Sequence, residues 1–321
     1  MYLCDQIAQS KEEIRIEAGD GRRWLLPGAV HLAAPLKECP NRYILGEGVT
    51  HACRQLVLRQ PHLLDPRSQL LRVPHRQMWI EWREGDAQGE ARRTGVYIEA
   101  DETGRRGSLQ SLWEAPPHQP DLAQGYYGFD FDAPLSRGFE LQAGPGFETS
   151  PEIHERLDQL VRHAALHVSP PWLACWRAAA RDGAHLAETL HFLFRQTWTD
   201  FPFACAFLLL LNAKRALSTR PIALAALNRR RLSRNVPPLL DHVEVKLDLG
   251  QATGDGRVRG GRSRLAPRLH QVRGHLVARG DNIFWRATHL RGDAARGLVT
   301  RRTVLVRRSN RSPSAEELVR C

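Results

Sequence analysis

The sequence predicts an α+β fold: a central antiparallel sheet with a helical layer, plus a smaller C-terminal antiparallel β module. Three observations carry this expectation. Residues 77–133 contain four short segments rich in β-branched and aromatic side chains, separated by Gly, Asp, Pro and Arg turns, the mark of an antiparallel meander. Residues 150–217 contain stretches with helical apolar spacing, among them the nearly all-apolar "FPFACAFLLLLNA", which reads as a helix buried on almost every side. From Pro221 to Cys321 there are 20 Arg and one Lys against eight Asp and Glu, a surplus of 13, whereas the first 220 residues hold 25 basic and 27 acidic groups. The last third is chemically distinct.

Taken in order, the opening to about Ala18 has weak helical character. "ILGEGVTHACRQLVLRQPHLL" keeps Val49, Ala52 and Leu56 at helical spacing and should stop near Pro61. "QMWIEW", "TGVYIEA", "GSLQSLW" and "YYGFDFDA" are the meander strands. "SPEIHERLDQLVRHAALHV" follows as a helix with Ser150 at the N-cap and Pro151 in the first turn. "PPWLACWRAAARDG" is a second helix, ending at a glycine suited to a C-cap, and "AHLAETLHFLFRQTW" and "FPFACAFLLLLNAKRAL" complete the helical layer. Residues 219–238, closed by a double proline, read as a basic linker between a 1–218 domain and a 239–321 β module. In that module Val243, Val245 and Leu247 alternate as in a strand, "GQATGDGRVRGGRSRLAP" reads as a loop, and "RLHQVRGHLVAR", "NIFWRATHL" and "TRRTVLVRR" read as three strands.

Several classes are set aside. The six cysteines form no C-x-x-C pair, which argues against a cysteine zinc site or a disulfide framework. The opening lacks the apolar core of a secretory leader, and 201–213 is too short to span a bilayer. The expectation is a cytoplasmic protein of a bacterial host cell, without a membrane partner, metal or cofactor. "GEG" at 46–48 and "GDGRVRGG" at 254–261 lack the Lys-Ser/Thr ending of a phosphate loop, and neither an H-E-x-x-H nor a G-x-S-x-G motif occurs.

The informative stretch is "RLHQVRGHLVARGDNIFWRATHLRG", residues 268–292, with three histidines, five arginines and a tryptophan. Guanidinium forks match phosphate oxygens and aromatic faces stack on unpaired bases, so Arg268, Arg273, Gly274, His275, Arg279, Trp285 and Arg286 form a candidate nucleic-acid surface. In a continuous strand His270 and His275 fall on opposite faces, unless a bulge at Gly274 realigns them. A cluster of Arg273, His275, Arg279, Arg286 and His289 with Trp285 nearby is expected. Paired imidazoles can also move protons in metal-independent RNA cleavage, which makes His270, His275 and His289 the candidates if the chain is a ribonuclease. The plain alternative is a solvated polar face.

"PRLHQVRGH", followed by "FWRATHLRG", resembles the Pro-Arg-x-His-x-Arg-Arg-Gly-His then Trp signature of a phage and prophage family that includes the type V-A anti-CRISPR protein suppressing production of the Cas12a effector. The residues that carry over are Pro267, Arg268, His270, Arg273, Gly274, His275 and Trp285. Val272 stands where that signature has its first arginine of the pair, and Leu276 where an aromatic often follows the second histidine. "PHRQMWIEW", "TGVYIEA" and the apolar helix follow the family's order. The resemblance implies a regulatory binder rather than an enzyme, one that lowers synthesis of a target by engaging its nascent chain and message. RNA or the ribosome would meet the basic module. A nascent peptide, of a Cas12a-type effector for example, would meet a groove of the aromatic sheet at Trp79, Trp82, Tyr97 and Trp113. A ribonuclease, or a protein-binding or virion-associated module whose basic end docks on something acidic, is the competing reading.

Overall fold

The computed structural model describes residues 1–11, 13–17, 23–85, 91–115, 119–135 and 151–248, and the strands 268–272, 275–279, 282–286, 289–291 and 293–298. Helix α1 (Leu3–Gln9) is followed by an antiparallel pair, β1 (Ile14–Glu17) and β2 (Arg23–Leu26), then α2 (Ala33–Glu38), β3 (Arg42–Leu45) and α3 (Glu47–Arg59). The meander is β4 (Gln77–Gly85), β5 (Ala91–Ala100), β6 (Arg106–Ala115) and β7 (Gln119–Asp130). Next come α4 (Pro151–Arg162), β8 (Ala164–Val168), α5 (Pro170–Ala179), α6 (Gly183–Thr197), α7 (Asp200–Asn212), β9 (Leu217–Ile222), α8 (Ala225–Leu232) and β10 (His242–Leu247). The C-terminal strands are β11 (Arg268–Val272), β12 (His275–Arg279), β13 (Asn282–Arg286), β14 (His289–Arg291) and β15 (Asp293–Leu298).

The protein is α+β, and its central sheet has the order β8-β7-β6-β5-β4-β3-β10-β9. The meander is antiparallel as expected, but the sheet is mixed, because β3 lies parallel to both β4 and β10. Alternation along each strand sends neighbours to opposite faces. Met78, Ile80 and Trp82 thus join the core beneath α3, α4 and α7, while Trp79 and Tyr97 join a second core beneath α1 and α2. The α7 segment Asp200–Leu210 is buried throughout, as its lack of a polar face requires. A smaller cluster packs β1 and β2 against Trp172, Cys175 and Trp176 of α5.

Two charged side chains buried under the sheet's second face hold the N-terminal layer. The Glu81 carboxylate accepts from the backbone of Leu3 (2.8 Å) and Cys4 (3.1 Å) and from Trp79 Nε1 (3.1 Å). Arg42 donates to the carbonyls of Leu36 (3.0 and 2.8 Å), Lys37 (2.9 Å) and Asp241 (2.8 Å). Asp5 accepts from Leu240 N at 2.8 Å, tying α1 to the approach of β10. At the far end of the sheet Arg105 pairs with Asp132 (2.5 Å) and donates to Pro66 O (2.9 Å) and Phe131 O (3.1 Å).

Gly95 is required by close approach: a Cβ there would overlap the ring of Trp79 at Cζ2 and Cη2. That ring is fully buried and held at Nε1 by Glu81, so it has no room to retreat. Gly95→Val is expected to destabilise by about 2–3 kcal/mol, read as a lower urea midpoint with an unchanged slope.

Several sequence expectations are corrected. The opening helix ends at Gln9, and Ile14–Glu17 is a strand, since Ile14 packs on the α5 cluster. The expected 150–168 helix ends at Arg162, and Ala164–Val168 becomes an edge strand paired with β7 from Gly125 to Phe129. Helix α5 ends at Ala179, four residues before Gly183, which opens α6 instead, with the Asp182 side chain accepting from His185 N at 2.9 Å. Residues 219–238 are not a linker. They include most of β9 and all of α8, and β10 belongs to the central sheet rather than to the C-terminal module. The reason is pairing: β9 and β10 match over six positions from His242↔Ile222 to Leu247↔Leu217. Pro221 is tolerated there because β9 is the edge strand. The 250–264 loop, the 300–308 strand, Ser150 and Cys321 lie outside the described residues.

Candidate nucleic-acid interface

The stretch expected as two continuous strands is four strands in two ladders. Strands β12 and β13 pair antiparallel, His275↔Arg286, Leu276↔Trp285, Val277↔Phe284, Ala278↔Ile283 and Arg279↔Asn282. Facing positions in an antiparallel ladder share a side of the sheet. Positions 275, 277, 279, 282, 284 and 286 therefore form one face: His, Val, Arg, Asn, Phe and Arg. Positions 276, 278, 283 and 285 form the other, composed of Leu, Ala, Ile and Trp alone. By register, the first set of positions includes no Asp or Glu and the second no polar residue.

Three of the expected contacts, His275, Arg279 and Arg286, thus lie on one face. His275 and Arg286 are directly opposite each other, and Arg279 lies four residues along, roughly 13 Å away at about 3.3 Å per residue. Trp285 does not join them. Its register position is among the apolar residues, and Phe284 is the aromatic that accompanies the arginines. Period-two alternation could have shown this, because adjacent residues 285 and 286 cannot share a face.

The second ladder has the order β14-β11-β15. There His270 faces Arg291 and Val272 faces His289. His270 and His289 are consequently diagonal neighbours on one face, about 7–8 Å apart by ladder geometry. Arg268 stands opposite Asp293 in the parallel pairing with β15. His275 thus belongs to a different ladder from His270 and His289, so the five-residue cluster is not assembled in a single ladder. Arg273 and Gly274 lie outside the described residues.

Three of the four aromatic positions expected to line a peptide groove, Trp79, Trp82 and Tyr97, are core rather than surface. Trp79, Trp82 and Tyr97 are exposed by only 0, 1 and 3%. Trp79 and Tyr97 lie under one face of the sheet and Trp82 under the other, stacked on Phe203 with ring centres 4.2 Å apart. Only Trp113 is half-buried, and its side chain bonds Asp121. Trp79, Trp82 and Tyr97 are core because helices cover both faces of the sheet where these residues lie.

A second basic surface falls in the segment 219–238, expected only as a basic linker. Arg229, Arg230 and Arg234 are exposed on and just beyond α8. The signal available was charge alone, four arginines in the six positions 229–234.

Among the described residues, no group of three or more His, Cys, Asp or Glu is placed to hold a metal ion. Cys4, Cys39, Cys53, Cys175 and Cys205 are buried free thiols, and burial pushes Cys4, Cys39, Cys53 and Cys205 above the ordinary thiol value. They are poor nucleophiles for that reason. Among the described residues no helix is long and apolar enough to cross a membrane.

By fold and surface the chain is an α+β protein whose basic C-terminal third includes two small β ladders. Comparison with protein-family models, curated proteins and solved structures finds no match.

Proposed function

We propose that this protein is an RNA-contacting regulator whose C-terminal β12–β13 ladder meets the phosphate backbone. The observation that supports this reading is the register that gathers His275, Arg279 and Arg286, with Phe284, on one acid-free face. The surplus of 13 positive charges in the last third adds a general attraction for polyanions. Guanidinium groups take phosphate oxygens in pairs, and the phenyl ring offers a base a stacking surface. The motif resemblance supplies the finer reading: a phage-derived, anti-CRISPR-like protein that lowers production of a target, such as a Cas12a-type effector, by engaging its message and nascent chain.

The test is fluorescence anisotropy of the full chain with a 20-nucleotide fluorescein-labelled single-stranded RNA between 50 and 300 mM salt. Arg279→Glu with Arg286→Glu is expected to weaken binding at least tenfold and to make the slope of log K against log salt shallower by roughly 1.4, about 0.7 per lost phosphate contact. Phe284→Ala should cost about 1–3 kcal/mol without changing the slope, and Trp285→Ala should not reproduce that pattern. A slope unchanged in the double arginine variant would remove the β12–β13 ladder as the RNA-contacting surface. The finer reading predicts that co-expression lowers both protein and message of a translated target reporter, and that a stop codon at the start of the reporter abolishes the effect.

The diagonal placement of His270 and His289 favours one second reading, metal-independent RNA cleavage. It requires that RNA be cut in the presence of EDTA and that His289→Ala abolish cutting. Intact RNA after prolonged incubation excludes it.

A further inference from the structure

The connection between β9 and β10 is a rigid, self-closed element. Leu224 N donates to Asp241 Oδ1 at 2.7 Å, bracing the entry to α8. Asn228 clasps Leu239 in both directions, Nδ2 to its carbonyl and Oδ1 from its N–H, each at 2.8 Å. Arg231 Nε donates to Pro237 O at 2.8 Å, and Val236 N returns to Arg231 O at 2.9 Å. Asn235 takes the left-handed turn (φ 55°) that reverses the chain, and Pro237–Pro238 restrict its exit.

On this frame Arg229, Arg230 and Arg234 are exposed, and among the described residues none has a side-chain hydrogen bond or ion-pair partner. No carboxylate occurs from Pro221 to Leu240, and Asp241 is engaged by Leu224. Arg229 and Arg230 lie in the last turn of α8, where positive charge complements the helix dipole. A fixed backbone carrying uncompensated guanidinium groups is preorganised for phosphate, because little freedom is lost when it binds.

We infer that the α8 clasp is a second docking site for RNA phosphates, independent of the C-terminal ladders. A membrane surface fits it less well. The two exposed leucines, Leu227 and Leu232, are five residues apart and so about 140° around the helix, which gives no single apolar face to insert.

The inference stands on different residues from the function proposed above, and the same assay separates the two. The full chain carrying Arg229→Glu, Arg230→Glu and Arg234→Glu is compared with wild type, with the ladder variant Arg279→Glu/Arg286→Glu, and with a charge-matched control, Arg59→Glu/Arg177→Glu/Arg181→Glu. All are titrated with the labelled 20-nucleotide RNA after circular dichroism has verified the fold. The clasp variant should bind at least tenfold more weakly, with a salt slope shallower by roughly 2, while the control stays within about twofold of wild type. A loss in the clasp variant alone upholds this site and overturns the ladder reading, and a loss in the ladder variant alone does the reverse. An equal loss in the charge-matched control, or clasp-dependent binding to phosphatidylcholine vesicles containing phosphatidylserine with RNA binding unaffected, overturns the clasp as an RNA site.

Discussion

Arg42→Met is expected to lower the unfolding free energy by about 3–5 kcal/mol, the range seen when one member of a buried, paired polar set is removed. Arg42 is 6% exposed, and its guanidinium makes four donor contacts to three carbonyls, those of Leu36, Lys37 and Asp241. Methionine keeps the apolar stem and strips every donor, so three carbonyls lose their partner at once. Two of them lie at the end of α2, where the last turn has no intrahelical donors to offer. The third precedes β10, nearly two hundred residues along the chain, so the effect reaches the seam at which β10 joins the sheet. Urea unfolding followed by tryptophan fluorescence should show a lower midpoint. A change below about 1 kcal/mol would mean that water enters and replaces the guanidinium.

Glu81→Gln is expected to cost about 2–4 kcal/mol, because an amide nitrogen cannot accept from the N–H groups that a carboxyl oxygen, ionised or protonated, can accept from. The cost should depend on pH. Burial pushes the Glu81 carboxyl above its ordinary value of 4.5, outweighing the three hydrogen bonds that pull it down. The folded chain therefore holds this proton to higher pH than the unfolded chain does. The contribution from the protonated form is fully present below about pH 4.5 and is lost as pH rises through the folded value. Glutamine does not titrate, so the gap in stability between wild type and variant should narrow as pH climbs from 4.5. Unfolding curves for both proteins from pH 4 to pH 7 measure it. A gap that widens over that window reverses the sign and removes the burial argument.

Local patterns carried much of the architecture. The helix ending before Pro61, the four meander strands and the buried α7 all follow from period and composition, because each exposes its apolar residues on one face or on every face. Alternation alone also separates Trp79 from Trp82 and Trp285 from Arg286. The short strands were harder. Ala164–Val168 follows a helix without a break residue, and its five residues suit either period. Its pairing with β7 decides the matter.

The candidate surface divides in the same way. Composition determined that positive charge accumulates in the last third, and residue identity determined which groups could meet phosphate. Only tertiary pairing decided that 268–279 is two strands, that His275 joins Arg279 and Arg286 while His270 joins His289, and that the basic segment at 219–238 is an ordered edge of the central sheet. The physical reason is the range of the forces. Periodicity and charge are written into neighbouring residues, whereas a ladder's register is chosen by partners far along the chain, and no local pattern encodes which partner will be met.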